Sequence, residues 1–417
     1  MKFLKMFGIM TIILSAIICT GCSSKSVKTA GDTDGSASSN PATVHENEAP
    51  EDEQITQEFG KFGMGLDIGN KFYFWKFSSD DVEGGGLFSV IHQTDGTFVD
   101  LVCLEGENET VIRSVETASE FAANEKGLYY TSGEAILFAA YGSKEEKHCD
   151  FGTILGITEN GRFVIYSKDN TDIWAVDTSD NTVKNLYENT RFVAIDGNTI
   201  FHAPTEDYEA ASKGLISLHS MNPENGYDVC LFTSDGNLYD GESLGIVDIS
   251  KIVFAGDYVY FSYGAVAGSG SFYQGGDIVR AKRDGSASEV LVDISTTDEF
   301  VDAHFVVNED GTVSTSSELE ALYDHLEETD TERGIITYTD PATGQHMDLC
   351  SYRHDASYDS STADLVSITD KYVFFVTHYG TRNPEKDIGW REYYERDKSV
   401  FSIYDRKTLT YFYSYTF

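Results

Sequence analysis

The sequence predicts an all-β fold, a seven-bladed β-propeller of four-stranded antiparallel blades with one short helix inserted in the sixth blade. Three observations predict it. A tight turn followed by an aromatic or β-branched run recurs seven times. Each such hairpin is followed by a second strand–turn–strand unit. The composition is rich in strand-forming rings, with Tyr 25 and Phe 26, and poor in proline, with Pro 6.

The hairpin strings are GNKFYFW from Gly69, EKGLYYT from Glu125, NGRFVIY from Asn160, DGNTIFH from Asp196, GDYVYFS from Gly256, DGTVS from Asp310 and DKYVFFV from Asp370. Gly, Asn or Asp between two β-rich runs is the signature of a tight hairpin. The second units begin with FSVI at Phe88, ILFAA at Ile136, IWAV at Ile173, LISL at Leu215, IVRA at Ile278, IITY at Ile335 and VFSI at Val400. Final strands such as FVDLVCL, YDVCLFT, EVLVD and LTYFYSY follow. Four antiparallel strands in a period of about 50 residues is the pattern of a propeller blade. A β-sandwich accounts poorly for seven units of the same internal order.

The helix is expected in SSELEALYDHLEE, with Ser316 or Ser317 as N-cap. Leu319, Leu322, Tyr323 and Leu326 then share one face, and Glu318 and Glu320 lie in the first turn.

Ahead of the propeller the chain reads as two further segments. Residues 1–21 have the form of a lipoprotein signal peptide. Lys2 and Lys5 precede an apolar run from Phe7 to Ile18 that is too short to span a bilayer, and Thr20 and Gly21 stand before Cys22. Cys22 is therefore the expected site of lipidation, and the lipid bilayer the expected first partner. Residues 22–57 lack aromatics and any periodicity, which fits an acidic, Ser-rich tether. Residues 58–417 are the propeller. The expected location is the extracytoplasmic face of a cell membrane, as a lipid-anchored secreted lipoprotein.

The formal net charge of −39 excludes nucleic acid as a partner, because phosphates require basic patches. Catalytic motifs fail on context. Gly241-Glu242-Ser243-Leu244-Gly245 matches GxSxG in letters, but lacks the strand before it and the helix after it that a nucleophile elbow needs. There is no HExxH and no Cys-x-x-Cys, so no metal ligand and no cofactor is assigned. Asn308 to Gly311 resembles part of a calcium loop. Val306 and Ser317 occupy its end positions, so a hairpin turn is expected there. Cys103, Cys149, Cys230 and Cys350 are each placed on the last strand of a unit, at the rim. Such positions are too far apart for a bridge of about 7 Å between Cα atoms, so free thiols are expected.

The segments VFAGDYVYF and IVRAKRDG resemble the prolow-density-lipoprotein-receptor-like propeller domain of unknown function found in lipoproteins of Firmicutes. They are more distantly similar to YWTD and TolB-type propellers. The likeness is clearest over Lys251 to Asp293 and Ser367 to Tyr413. It implies a propeller outside the cytoplasm and brings no catalytic residues.

Two surfaces are singled out. Asp248, Asp302 and Asp364 fall where loops enter innermost strands, and paired carboxylates there would suit a carbohydrate-active enzyme. The second-to-third strand connections are long in units one, four, five, six and seven. They carry Tyr208, Phe272, Tyr273, Trp390, Tyr393 and Tyr394 among carboxylates. Long connections with exposed rings suit a binding face for a protein, peptide or glycan, with Trp390 and Tyr273 as anchors. That binding role is the preferred reading. A solute-binding lipoprotein of a transporter is the other alternative, and its usual α/β lobes are not suggested here.

Overall fold

The computed structural model describes residues 60–416 except 77–81, 84–89, 94–98, 107, 116, 205–215, 235–246, 267–272, 294–304, 316–325, 331–334, 341–342, 351–359 and 387–393. Antiparallel meanders follow one another along the chain. The first comprises Gly65–Ile68, Lys71–Lys76, Val99–Glu105 and Asn108–Val115. The second comprises Phe121–Ala123, Gly127–Ser132, Ala135–Ala140 and Glu146–Phe151, with Lys61–Gly63 added on the Phe121–Ala123 edge. The third runs through Thr153–Ile157, Phe163–Ser167, Asp172–Asp177 and Thr182–Glu188. The fourth runs through Thr190–Asp196, Thr199–Pro204, Ser217–Met221 and Asp228–Thr233. The fifth is Val247–Ala255, Tyr258–Val266, Tyr273–Lys282 and Ser288–Val292, and the last is Ser360–Ile368, Tyr372–Arg382, Tyr394–Asp405 and Thr410–Thr416.

Alternation along the second strands decides how these sheets stack, because successive side chains point to opposite faces. In Lys71–Lys76, Phe72 and Phe74 enter a cluster with Phe374, Val376 and Phe401 of the last sheet. Tyr73 and Trp75 enter another with Phe121, Leu128 and Tyr130 of the second sheet. The second and third sheets share Tyr129, Ile154, Val164 and Tyr166, and the third and fourth share Phe163, Ile165, Ile200 and Met221. The fourth and fifth share Phe201, Leu218, Phe261 and Val279. First strands of neighbouring sheets lie beside one another from Phe121–Ala123 round to Val247–Ala255. Fourth strands carry mostly exposed or half-buried residues, as in Glu146–Phe151. Sheets that radiate from a common axis, with the last packed on the first, form a β-propeller.

All seven hairpin strings are turns between paired strands. At Gly197 and Gly256 the backbone has φ of 58° and 57°, a left-handed conformation that glycine adopts without steric cost. The string at Asp310 is also a turn, between Val307 and Val313, as expected in place of a calcium loop. Asp310 Oδ1 accepts from both the backbone N and the hydroxyl of Thr312. Asp177 with Ser179, Asp180 with Thr182, and Asp405 with Thr408 repeat this arrangement. Part of the acidic excess is thus spent on closing turns.

Three expectations are corrected. FSVI at Phe88 is not the third strand of the first sheet. Val90–Gln93 pairs instead with Val82–Glu83 and Thr117–Ser119 in a small separate sheet. The third strand is Val99–Glu105, whose Val102 and Leu104 join Phe72 and Phe74 in the apolar seam with the last sheet. Cys103 therefore sits on a third strand and is buried, not at the rim. Cys149 and Cys230 do lie on fourth strands, and all three of these thiols are free. Cys350 falls on the last strand of the sixth unit.

The third correction concerns that sixth unit. It is split into a hairpin, Phe305–Val307 with Val313–Thr315, and a three-stranded sheet, Leu326–Asp330, Ile335–Thr339 and His346–Cys350. The hairpin packs on the fifth sheet through Phe305, Tyr260 and Ile278, and the three-stranded sheet packs on the last through Tyr338, Val373 and Phe375. Leu326 to Glu328, expected at the end of a helix, are strand because Leu326 pairs with Tyr338 and Glu328 with Ile336. The rest of the expected helix, 316–325, lies outside the described residues. Among these, the helical segment is the short 3-10 turn Pro384–Lys386.

Candidate functional site

The residues singled out from sequence are mostly beyond description. Cys22, Tyr208, Phe272, Asp302, Trp390 and Tyr393 lie outside the described residues. For four others the backbone is placed. Asp248 pairs with Gly264 and Asp364 with Val376, both within first strands and not in the loops that enter them. Tyr273 pairs with Val266 at the start of a third strand, and Tyr394 with Arg382 at the start of another. Both stand where a second-to-third connection ends.

A polar cluster that the sequence reading left unassigned is built by the fourth sheet. The tight turn at Gly197 sets the register of the second strand, and its pairing with the third places His202 directly opposite His219. A bulge between Leu218 and His219 shifts the third strand against the fourth. Asp228 opens that fourth strand, one cross-strand diagonal from His219. Even-numbered Ile200 and His202 face the third sheet, where Ile200 joins its apolar cluster and the His202 ring lies 4.4 Å from that of Tyr187.

The Asp228 carboxylate joins the two imidazoles. Its Oδ1 lies 2.9 Å from His202 Nε2 and its Oδ2 lies 2.9 Å from His219 Nδ1. A carboxylate only accepts, so each of these ring nitrogens carries the proton. His202 Nδ1, 2.8 Å from Thr190 Oγ1, is then the acceptor of the threonine hydroxyl. Burial pushes the His202 imidazole below its ordinary pKa, against the opposing pull of the Asp228 hydrogen bond and charge. His202 is fully buried, whereas the His219 and Asp228 side chains are 18% and 25% exposed.

Hydroxyl, imidazole and carboxylate in a chain is the order of parts in a hydrolase triad. Thr190 is completely buried, however, and its backbone N is tied to Thr171 O, so a substrate cannot reach its hydroxyl. What remains open is the His219–Asp228 side. Two imidazole nitrogens and a carboxylate oxygen, all within 4.8 Å of one another, form a set of three metal-ligating donors. The signal in the sequence was slight: two histidines in consecutive strands of one unit, adjacent only once the pairing register is known.

Elsewhere three described ionisable groups serve seams between sheets. Arg406 Nε donates to the buried Asp340 at 2.9 Å, between the sixth unit and the last sheet. Arg283 pairs with Asp196 between the fifth and fourth. Lys251 Nζ donates to Phe305 O at 2.8 Å, and burial pushes its ammonium down to about 7.

No family model matches the chain, and no curated protein matches it. Solved structures do. A Mycobacterium tuberculosis puromycin-hydrolyzing peptidase aligns at 10% identity and a TM-score of 0.38, over 85% of this chain and 53% of that one. The chain thus spans about half the length of the peptidase. An oligogalacturonate lyase in complex with manganese aligns at 11% identity and a TM-score of 0.31, over 85% of each chain. The N-terminal domain of Nup159 aligns at 10% and 0.34, over 87% of this chain and 95% of that one. At these levels the likenesses carry nothing about chemistry.

Proposed function

We propose that the chain is a membrane-anchored, extracytoplasmic lipoprotein whose seven-bladed propeller binds a protein, peptide or glycan on the face that carries the second-to-third strand connections. In this reading the hairpin and the three-stranded sheet of the sixth unit together make one blade. Anchoring rests on the Lys2–Gly21 segment and Cys22. Three acyl chains on one cysteine hold stably, at about 0.8 kcal/mol per buried CH₂.

The observation that carries the binding face is topological. The first-to-second joins are tight turns, such as Gly69-Asn70 and Gly256-Asp257. The long joins, 205–216 and 383–393 among them, connect second strands to third and so leave the sheets at the opposite end. Long connections on one end of a rigid scaffold suit recognition.

Two substitutions test the two parts. Cys22→Ala is expected to release the protein from the membrane fraction, and full retention would contradict the anchor. A ligand captured from envelope extract is expected to bind Trp390→Ala/Tyr273→Ala about tenfold more weakly, roughly 1.4 kcal/mol, with Tm unchanged. Binding indifferent to both changes would move the site off this face.

A further inference from the structure

We propose that His202, His219 and Asp228 form a binding site for one divalent transition-metal ion, with zinc as the reference ion. The proposal does not depend on the reading of the long-loop face. Its donors come from three adjacent strands of one sheet, so the backbone ladder fixes their separation. Two imidazoles with one carboxylate is a set suited to zinc, cobalt, nickel or copper; magnesium and calcium prefer all-oxygen shells.

The dimensions fit. An ion about 2.0–2.1 Å from each donor wants tetrahedral neighbours about 3.3 Å apart. The two carboxylate-to-imidazole separations are 2.9 Å, one to each carboxylate oxygen, and the three donors span at most 4.8 Å, so side-chain rotations that move the ligand atoms by about an ångström bring them round one ion. His202 is held from behind by Thr190 Oγ1 at 2.8 Å and flanked by the Tyr187 ring. That is the outer support a metal-bound histidine uses to fix its tautomer. On binding, the His202 proton moves from Nε2 to Nδ1, which then donates to Thr190 Oγ1. The His219 proton moves from Nδ1 to Nε2, on the partly exposed side. The ion takes the place of two hydrogen-bonded protons between the rings and the carboxylate. The exposure of His219 and Asp228 leaves a fourth position to water.

The test uses the full chain in detergent, stripped with a chelator and titrated with Zn²⁺ by calorimetry. Excess Mg²⁺ is present throughout, to occupy the acidic surface. The expected result is one tight zinc per chain, with Co²⁺ giving the visible bands of tetrahedral coordination. His219→Ala and Asp228→Asn are each expected to weaken zinc binding about tenfold or more and to remove the cobalt bands. Both positions are partly exposed, and far-ultraviolet circular dichroism checks the fold. His219→Gln serves if the alanine variant does not fold. Zinc binding no tighter than the magnesium-competed background would overturn the proposal, as would variants that bind like the parent. In either case the cluster is a hydrogen-bonded seam and nothing more.

Discussion

The seam between the first and last sheets and the seam between the third and fourth solve different problems. The first closes the ring without a covalent link. Its centre is wholly apolar: Phe72, Phe74, Val102 and Leu104 meet Phe374, Val376, Phe401 and Ile403, each at most 1% exposed. Phe74 stacks on Phe401 at 5.6 Å, and Phe72 meets Phe374 edge-on at 5.4 Å. Gly65 permits this approach, since a Cβ there would stand 2.2 Å from Phe374 Cζ. Polar contacts stay at the margin, as in the Tyr413 hydroxyl that donates to Glu109 Oε2 at 2.5 Å.

The third-to-fourth seam is apolar only in part. Beyond Ile165, Ile173, Ile200 and Met221 it admits Thr190, His202, Asp228 and His219. Each full burial of a large apolar side chain contributes about 1.5–3 kcal/mol. A satisfied buried hydrogen bond nets only about 0.5–1.5 kcal/mol, and an unsatisfied one costs more. The comparison therefore assigns stability to the closing seam and a binding chemistry to the polar one.

The largest expected effect is at the closing seam. Phe74→Ala should lower unfolding free energy by about 3–5 kcal/mol in urea titration, through lost burial and a cavity that stacked rings cannot fill. A loss below about 1 kcal/mol would mean that the ring is not closed there. At the polar seam, His202→Ala should cost about 1–3 kcal/mol, since it strands the Thr190 hydroxyl and removes one Asp228 partner. A cost equal to that of Phe74→Ala would erase the contrast.

A third, smaller effect concerns Lys251 between the fifth sheet and the sixth unit. The unfolded chain keeps that proton up to about 10.5, whereas the folded chain releases it near 7. Between those values the unfolded state binds more protons, so this group makes stability rise with pH. Lys251→Met should flatten that rise: the difference in Tm between parent and variant should shift in the parent's favour from pH 7 to pH 9.5. A difference independent of pH would place the ammonium in water.

How far the sequence reveals these seams follows from the range of the signal. The seven turns were legible because Gly, Asn or Asp between β-rich runs is a local cue. The third strand of the first sheet was not. Both FSVI and FVDLVCL read as strands, and the choice falls to pairing with Lys71–Lys76, where Leu104 comes opposite Phe72. The periodic face of 316–328 predicts a helix, but from Leu326 on the strand pairing with Tyr338 overrides it. The His202–His219–Asp228 cluster needed two strand registers and a bulge, none of which composition or spacing contains. The ligand-face rings have no signal in the sequence beyond long connections that carry aromatics among carboxylates.

One measurement sets the two seams against each other: thermal melts of Phe74→Ala and His219→Ala, each with and without saturating zinc. An ion that binds only the folded chain raises Tm in proportion to its affinity and concentration. The division of labour predicts that Phe74→Ala melts much lower but keeps the zinc-induced rise, while His219→Ala melts near the parent and loses it. Two variants that respond to zinc alike, or a His219→Ala melt as low as that of Phe74→Ala, would contradict it.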